Sequence, residues 1–298
     1  MIRSPLNPLL VVSATVAALV ALPVASVLTN ILSGGTGATW SHLATTVLPD
    51  YIANTLVLCL TVGVGVVVVG VGTAWLTTMH SFPGRRVFEW ALVLPLAMPA
   101  YVLAYVYTDF LQFVGPLQTF LRESFGWSKA DYWFPEVRSL GGAVGMFVFV
   151  LYPYVYLLTR TAFIERASGM LEASRTLGLG PWRSFFRVSL PLARPAVAAG
   201  AALALMETLA DYGTVSYFGV QTFTTGIYRA WFSLGDRIAA AQLAAALLGF
   251  VTLLLLIERI SRGRSRFYNT TGRNRPRSGQ RLLGWRAWLA STLCALPL

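Results

Sequence analysis

The sequence predicts an all-α polytopic membrane protein, and three observations carry that prediction. Of the 298 residues, 56% are hydrophobic and only 12% are charged, where a soluble domain carries roughly 25% charged residues. The apolar residues come in blocks close to the ~20 residues a helix needs to cross a bilayer. The 23 basic residues outnumber 12 acidic ones and crowd beside those blocks. That placement fits the positive-inside rule and argues against a nucleic-acid-binding face.

The first apolar run, Pro8 to Leu32, follows a short head containing Arg3. It exceeds the 7–15 residues typical of a signal-peptide core, so a retained helix is favoured over a cleaved leader. Gly34, Gly35 and Gly37 end it, and the connector to Asp50 has no Lys or Arg. The second run, Tyr51 to Met79, is rich in Val and holds Gly63, Gly65, Gly70 and Gly72. Its length favours a spanning helix over a strand, with glycines allowing close helix contact. After the basic turn His80 to Arg86, a third run extends from Val87 to about Phe113 with Pro95 and Pro99 inside. Each proline removes a backbone donor and kinks the helix, which suits either a cavity-lining bend or plain packing.

Gly115 to Leu140 mixes aromatic residues with both signs of charge, the composition of an interfacial belt with a short surface helix. The fourth run is Gly141 to Thr159, the fifth Pro195 to Ala210 and the sixth Ile238 to Ile257. Residues 261–284 read as a basic cytoplasmic linker, and the apolar tail 285–298 is too short to span. Cys59 and Cys294 lie far apart in apolar segments, so neither a disulfide framework nor a metal motif is indicated. His42 and His80 stand alone and read as loop histidines.

Six alternating helices with the N-terminus inside place all but five of the 23 basic residues on the inner side. The exceptions are Arg122, Lys129, Arg138, Arg229 and Arg237. The polar loop 165–191 between the fourth and fifth runs is therefore expected in the cytoplasm. Within it, Leu171, Ser174, Leu177 and Gly178 fall at helical spacing, with Ser168 as N-cap, Glu172 near the positive end of the helix dipole, and Gly178, Gly180 and Pro181 as stops. Met170, Leu171, Leu177 and Leu179 give this helix a short apolar face. Such a face suits docking into a groove on a partner or lying on lipid, and the pattern alone favours neither. From Trp182 to Val188, arginines interleave with Phe185 and Phe186, which suits the membrane surface.

The order of residues in this loop resembles the EAA loop of inner-membrane permease subunits of ABC importers: Glu-Ala-Ala, three residues, Gly, nine residues, an aliphatic, one residue, Leu-Pro. Glu172, Ala173, Gly178, Val188, Leu190 and Pro191 match in register, with Ser174 replacing the second alanine. The resemblance implies six transmembrane helices of the importer permease type in 1–260, plus a cytoplasmic coupling helix in the loop. It implies that Leu171, Glu172, Ala173, Ser174, Leu177, Gly178, Val188, Leu190 and Pro191 couple the chain to a separate cytoplasmic ATP-binding subunit, with Leu171 and Leu177 filling its cleft. A periplasmic substrate-binding protein would deliver cargo to a path in the bacterial inner membrane. The segment Glu207-Thr-Leu-Ala-Asp211-Tyr-Gly213, followed by Tyr217 to Tyr228, is similar to the ferric-iron branch and close to the putrescine, thiamine and sulfate branches. Iron permeases of this type are fused chains with two halves. The resemblance thus makes 285–298 the truncated seventh helix of a second half, and implies pairing with that half or with a second copy.

Acidic residues at a membrane are costly, roughly 2.5–3.5 kcal/mol for Asp at a helix centre, and so are functional candidates. Glu207 and Asp211, four apart, share one face at the outer end of the fifth run. They could form the entrance of the translocation path and attract a cation. The alternative, favoured here, is a pair that fixes the turn or meets the delivering protein. No cluster of ligating side chains suggests a resident metal or cofactor. The chain also lacks the Gly-Lys-Ser/Thr phosphate loop of an ATPase, so it reads as a transport subunit and not an enzyme. A secondary transporter is the other class weighed, and it would need charged residues within the spans.

Overall fold

A computed structural model describes residues 8–30, 37–176, 178–262 and 280–298. In chain order the helices are α1 (Pro8–Thr29), α2 (Gly37–Thr46), α3 (Leu48–Met79), α4 (Arg85–Ala91), α5 (Ala100–Leu111), α6 (Pro116–Phe125) and α7 (Leu140–Thr176). They continue as α8 (Pro181–Ser184), α9 (Leu190–Ala210), α10 (Gly213–Tyr217), α11 (Phe223–Tyr228), α12 (Arg237–Arg262) and α13 (Trp285–Ala295). Two-residue strands β1 (His80–Ser81) and β2 (Gln280–Arg281) pair in parallel. Among the described residues, five helical stretches are long and apolar enough to cross a membrane, or six if one bent pair forms a single span.

That bent pair is the predicted third run. It is a broken element rather than a helix with two kinks: Arg85–Ala97 and Ala100–Phe125 meet at 102°. Pro95 starts a 3-10 turn over Leu94–Ala97, and Met98 is driven to an extended conformation (φ −115°, ψ 139°). A residue before proline avoids the α region, so Pro99 stops one helix and opens the next.

The chain divides into two compact units. The first comprises residues 1–53 and 221–251. Its core is Leu43, Tyr51, Phe223, Ala239, Ala240 and Leu243. Gly226 of α11 lies against the Tyr51 ring so closely that any side chain would clash. The start of α11 is held by reciprocal bonds between Thr222 and Thr225, which satisfy donors that a helix N-terminus leaves open. The Gln242 side-chain amide donates to the Asn30 carbonyl at 3.2 Å.

The second unit comprises residues 54–220 and 252–298, and α7 runs through its core. Val62, Val66, Phe147, Tyr152, Val155 and Phe163 are buried there. Glycines allow the close crossings that the sequence anticipated. A Cβ on Gly70 of α3 would sit 2.7 Å from Val155 Cβ and 2.9 Å from the Tyr152 carbonyl oxygen, and one on Gly200 of α9 would sit 2.7 Å from Val155 Cα. Gly65 is equally tight against Val148. Packing of small residues drives such contacts in lipid, where helices gain nothing from apolar burial alone.

The segment after residue 279 returns to this unit. Leu282 N–H donates to Ser81 O at 3.0 Å, Ser291 Oγ donates to Pro83 O at 2.9 Å, and Ala287, Ala290 and Cys294 are buried. The expected linker 261–284 is thus helical to Arg262 and paired at 280–281, while residues 263–279 lie outside the described residues.

Candidate functional site

The loop expected between the fourth and fifth runs has a different anatomy from the one its spacing suggests. Helix α7 continues unbroken for 37 residues to Thr176, about 55 Å at 1.5 Å per residue, well beyond a hydrocarbon core of about 30 Å. Ser168 is therefore inside a helix and is not an N-cap, and Glu172 does not sit at a helix start. The residues from Thr159 to Thr176 contain no proline and a single glycine, Gly169, which costs about 1 kcal/mol and does not stop a formed helix. Leu171, Glu172, Ala173 and Ser174 thus ride on an extension of a spanning helix. Their side chains, and Leu177 entirely, lie outside the described residues.

Gly178 does end the helix. It adopts φ +78°, the left-handed conformation in which glycine is free of Cβ strain. Nothing lies within 4 Å of where its Cβ would be, so backbone conformation alone selects glycine there. Pro181 opens α8, a position where a missing N–H leaves no bond unmade, whereas Pro191 lies inside the continuous helical stretch Pro181–Ala210.

The second half of the loop is anchored. Phe185, expected at the membrane surface, is only 8% exposed. Its ring centroid lies 5.0 Å from that of Trp75, 6.4 Å from Phe163 and 4.9 Å from Phe186. Trp75 also meets Trp182 at 5.0 Å and His80 edge-on at 4.5 Å. His80, read as a loop histidine, is buried against this cluster at the end of α3. Residues Phe185–Ser189 form a π-helical turn, an irregularity frequent at functional positions, and it contains Val188. Leu190 packs against the core, and Ser189 is buried. The loop is thus tied at its downstream end to α3 and α7 through aromatic packing.

One group escaped the sequence reading. Glu89 of α4 accepts from Arg85 Nε at 3.1 Å and pairs with Arg160 Nη2 at 3.2 Å. Tyr156 Oη donates to the Glu89 carbonyl at 3.2 Å. The i,i+4 spacing of Arg85 and Glu89 was a visible signal, whereas the partner on α7 was not.

Glu207 and Asp211 have distinct settings. Asp211 is the C-cap of α9, and its carboxylate accepts from Thr214 N at 2.8 Å, Thr214 Oγ1 at 3.0 Å and Val215 N at 3.2 Å. Burial pushes its carboxyl up, and the hydrogen bonds from Val215 and Thr214 oppose that rise. Glu207 is exposed. Among the described residues, no three His, Cys, Asp or Glu side chains gather into a metal-binding group.

The model of one family, described as the binding-protein-dependent transport system inner membrane component, matches residues 66–266, a stretch that includes the whole loop and both acidic positions. The chain belongs to this family. It is a multi-pass inner-membrane permease component, similar at 27% identity over 224 residues to the Fe(3+)-transport system permease protein FbpB 2 of Haemophilus influenzae, covering 75% of this chain and 40% of that protein. It is 29% identical over 206 residues to the molybdenum transport system permease protein ModB of Escherichia coli, covering 66% of this chain and 87% of that one. The sulfate transport system permease protein CysT of Escherichia coli is 31% identical over 150 residues, covering 50% of this chain and 51% of CysT. The chain thus spans about half or less of the length of two of these relatives. A crystal structure of a bacterial ABC transporter that imports the acidic polysaccharide alginate superposes with a TM-score of 0.66 at 14% identity, covering 86% of this chain and 96% of that chain. That likeness establishes the permease fold.

Proposed function

We propose that this chain forms the translocation path of an ATP-driven importer and receives its driving force through the loop 165–191. A separate cytoplasmic ATP-binding subunit docks on the end of α7, around Leu171, Glu172, Ala173, Ser174, Leu177 and Gly178. A periplasmic substrate-binding protein supplies the cargo, and a second permease half or a second copy completes the path. The N-terminus is cytoplasmic in this reading, which rests on the asymmetry of the basic residues.

The observation that carries the proposal is the position of the Glu172–Pro191 register inside the family match, on a helix long enough to leave the membrane. Movement of an ATPase cleft against the end of α7 would be transmitted along that helix into the packed core at Tyr152 and Val155, which flank its interior Pro153. The test is purification of the full-length protein with the ATPase encoded beside it. Co-purification and ATP hydrolysis stimulated by the loaded binding protein are expected, and absence of both rejects the proposal.

For the substrate we propose ferric iron, because the similarity to FbpB 2 extends over 75% of this chain. A tetrahedral oxyanion is the second reading, favoured by ModB, of which 87% is covered. Uptake of labelled ferric ion, molybdate and sulfate by a deletion strain, with and without the gene, separates the two.

A further inference from the structure

Two of the five basic residues assigned to the outer side, Lys129 and Arg138, line one cleft, and a third, Arg122, falls within the same 17 positions. The cleft, about 650 Å³, opens between the end of α5, helix α6 and the segment 129–138. One wall is tied down. The Gln118 amide donates to Leu111 O at 2.7 Å and accepts from Tyr132 Oη at 2.7 Å, and Arg122 donates to Phe113 O at 2.8 Å, Tyr132 Oη at 3.1 Å and Thr119 Oγ1 at 3.1 Å. These bonds engage Arg122 and fix the aromatic ring of Tyr132.

Lys129 and Arg138 are different. Both line the cleft, both are exposed, and neither forms a salt bridge among the described residues. Lys129 hangs over the Phe113 ring at 5.4 Å and Arg138 over Tyr217 at 4.5 Å. The nearby Asp131 is turned away to bond Ser128 N and Oγ at 2.6 and 2.7 Å. Deeper in the lining, Thr108 is 1% exposed and its hydroxyl has no hydrogen-bond partner among the described residues, a state that is unfavourable when nothing fills it. Glu136 and Gln112 supply acceptors at the same cleft, and its rim is apolar, with Val114 74% and Trp133 85% exposed.

We propose that this cleft binds a phosphate ester bearing free hydroxyls, the chemistry of a phosphatidylglycerol headgroup. Lys129 and Arg138 take the phosphate, Glu136 and Gln112 take the glycerol hydroxyls, and Val114 and Trp133 lie against the acyl glycerol. Two unpaired cations beside aromatic rings at a membrane surface select an anion that also carries apolar bulk. This site is independent of the transport reading, since it needs neither ATPase nor cargo.

Lys129 is the only lysine in the chain, so its amine can be followed alone. The protein is placed in nanodiscs of phosphatidylcholine with or without phosphatidylglycerol, and Lys129 modification by an amine-reactive ester is timed by peptide mass spectrometry. Phosphatidylglycerol is expected to slow labelling about threefold or more. Arg138→Gln should abolish the protection, while Arg138→Lys, which retains the charge, should keep it at Lys129, with the introduced amine resolved from Lys129 by fragment ions, and also shows that the fold tolerates change there. Protection by soluble glycerol phosphate in pure phosphatidylcholine discs, with none from the lipid, assigns the same site to a free ester. Equal labelling under all conditions, or lipid protection unchanged in Arg138→Gln, overturns the proposal.

Discussion

Glu89 of α4 and Arg160 of α7 form an ion pair at 3.2 Å, with side chains 22% and 28% exposed. The same carboxylate holds Arg85 at 3.1 Å, so one acid joins the first helix of the bent pair to the helix that leads into the loop. Exposed pairs contribute about 0–1 kcal/mol and fully buried ones cost about 3–5 kcal/mol when broken. This half-buried pair should fall between. Arg160→Gln is expected to destabilise by about 1–2 kcal/mol and Glu89→Gln slightly more, since it leaves two arginines facing each other. The double variant should cost less than the sum of the two, measured by thermal unfolding in detergent. Strict additivity would show that the two side chains do not interact.

Gly178 supports a second prediction. Its φ of +78° lies where a β-branched residue is strained by about 1–2 kcal/mol, and no neighbour obstructs a side chain. Gly178→Val should therefore leave the melting temperature of the isolated permease nearly unchanged, because the helix end can refold locally. It should still reduce ATPase co-purification and substrate-stimulated hydrolysis severalfold by re-aiming the end of α7. Gly178→Asn, which tolerates the left-handed region, should retain most of both. Equal activity for Val and Asn would remove the conformational argument.

The close crossings on α7 make the third. Gly70→Leu and Gly200→Leu must displace backbone or Val155, with contacts of 2.7–3.0 Å already at Cβ. Overpacking of this kind costs about 1–3 kcal/mol and more where backbone blocks the way. Gly72→Ala is the matched control, since nothing lies within 4 Å of its Cβ and helix propensity favours alanine by about 1 kcal/mol. Thermal stability in detergent should fall for the first two and hold or rise for the third.

These elements differ in how far the sequence disclosed them. The spans were legible because lipid demands a long apolar run, and Gly65 and Gly70 were legible because glycines inside such a run have little other use. The break at Pro95 and Pro99 was visible, but its 102° bend was not, since two prolines specify a kink and the surrounding packing sets its angle. The order of Glu172, Gly178 and Pro191 revealed the loop, yet it concealed that α7 continues through it. Composition past Arg160 turns polar at the membrane exit, and a polar stretch reads as loop whether or not the helix persists. Helices α2, α10 and α11 were missed because each is short and set in Gly- or Thr-containing connectors. The Glu89–Arg160 pair was hidden because its partners are 71 positions apart and meet only after α4 and α7 pack.

Glu207 and Asp211 allow a last, discriminating prediction. Asp211 accepts three hydrogen bonds that start α10, so Asp211→Ala should destabilise by about 1–2 kcal/mol, the usual loss of a capping side chain. Its effect on uptake would then follow from misplacement of the turn at Gly213, whose Cβ position is already 3.0 Å from Tyr101 Cβ. Glu207 is exposed, so Glu207→Gln should leave the melting temperature within experimental error. If Glu207 steers a cation into the path, its loss should raise the concentration for half-maximal ferric uptake severalfold at low ionic strength, and the difference should shrink as salt screens the field. For an oxyanion cargo the sign reverses: removing a negative charge should improve uptake at low salt. Measuring Glu207→Gln with both cargo classes at two ionic strengths therefore tests the entrance role and the substrate assignment together.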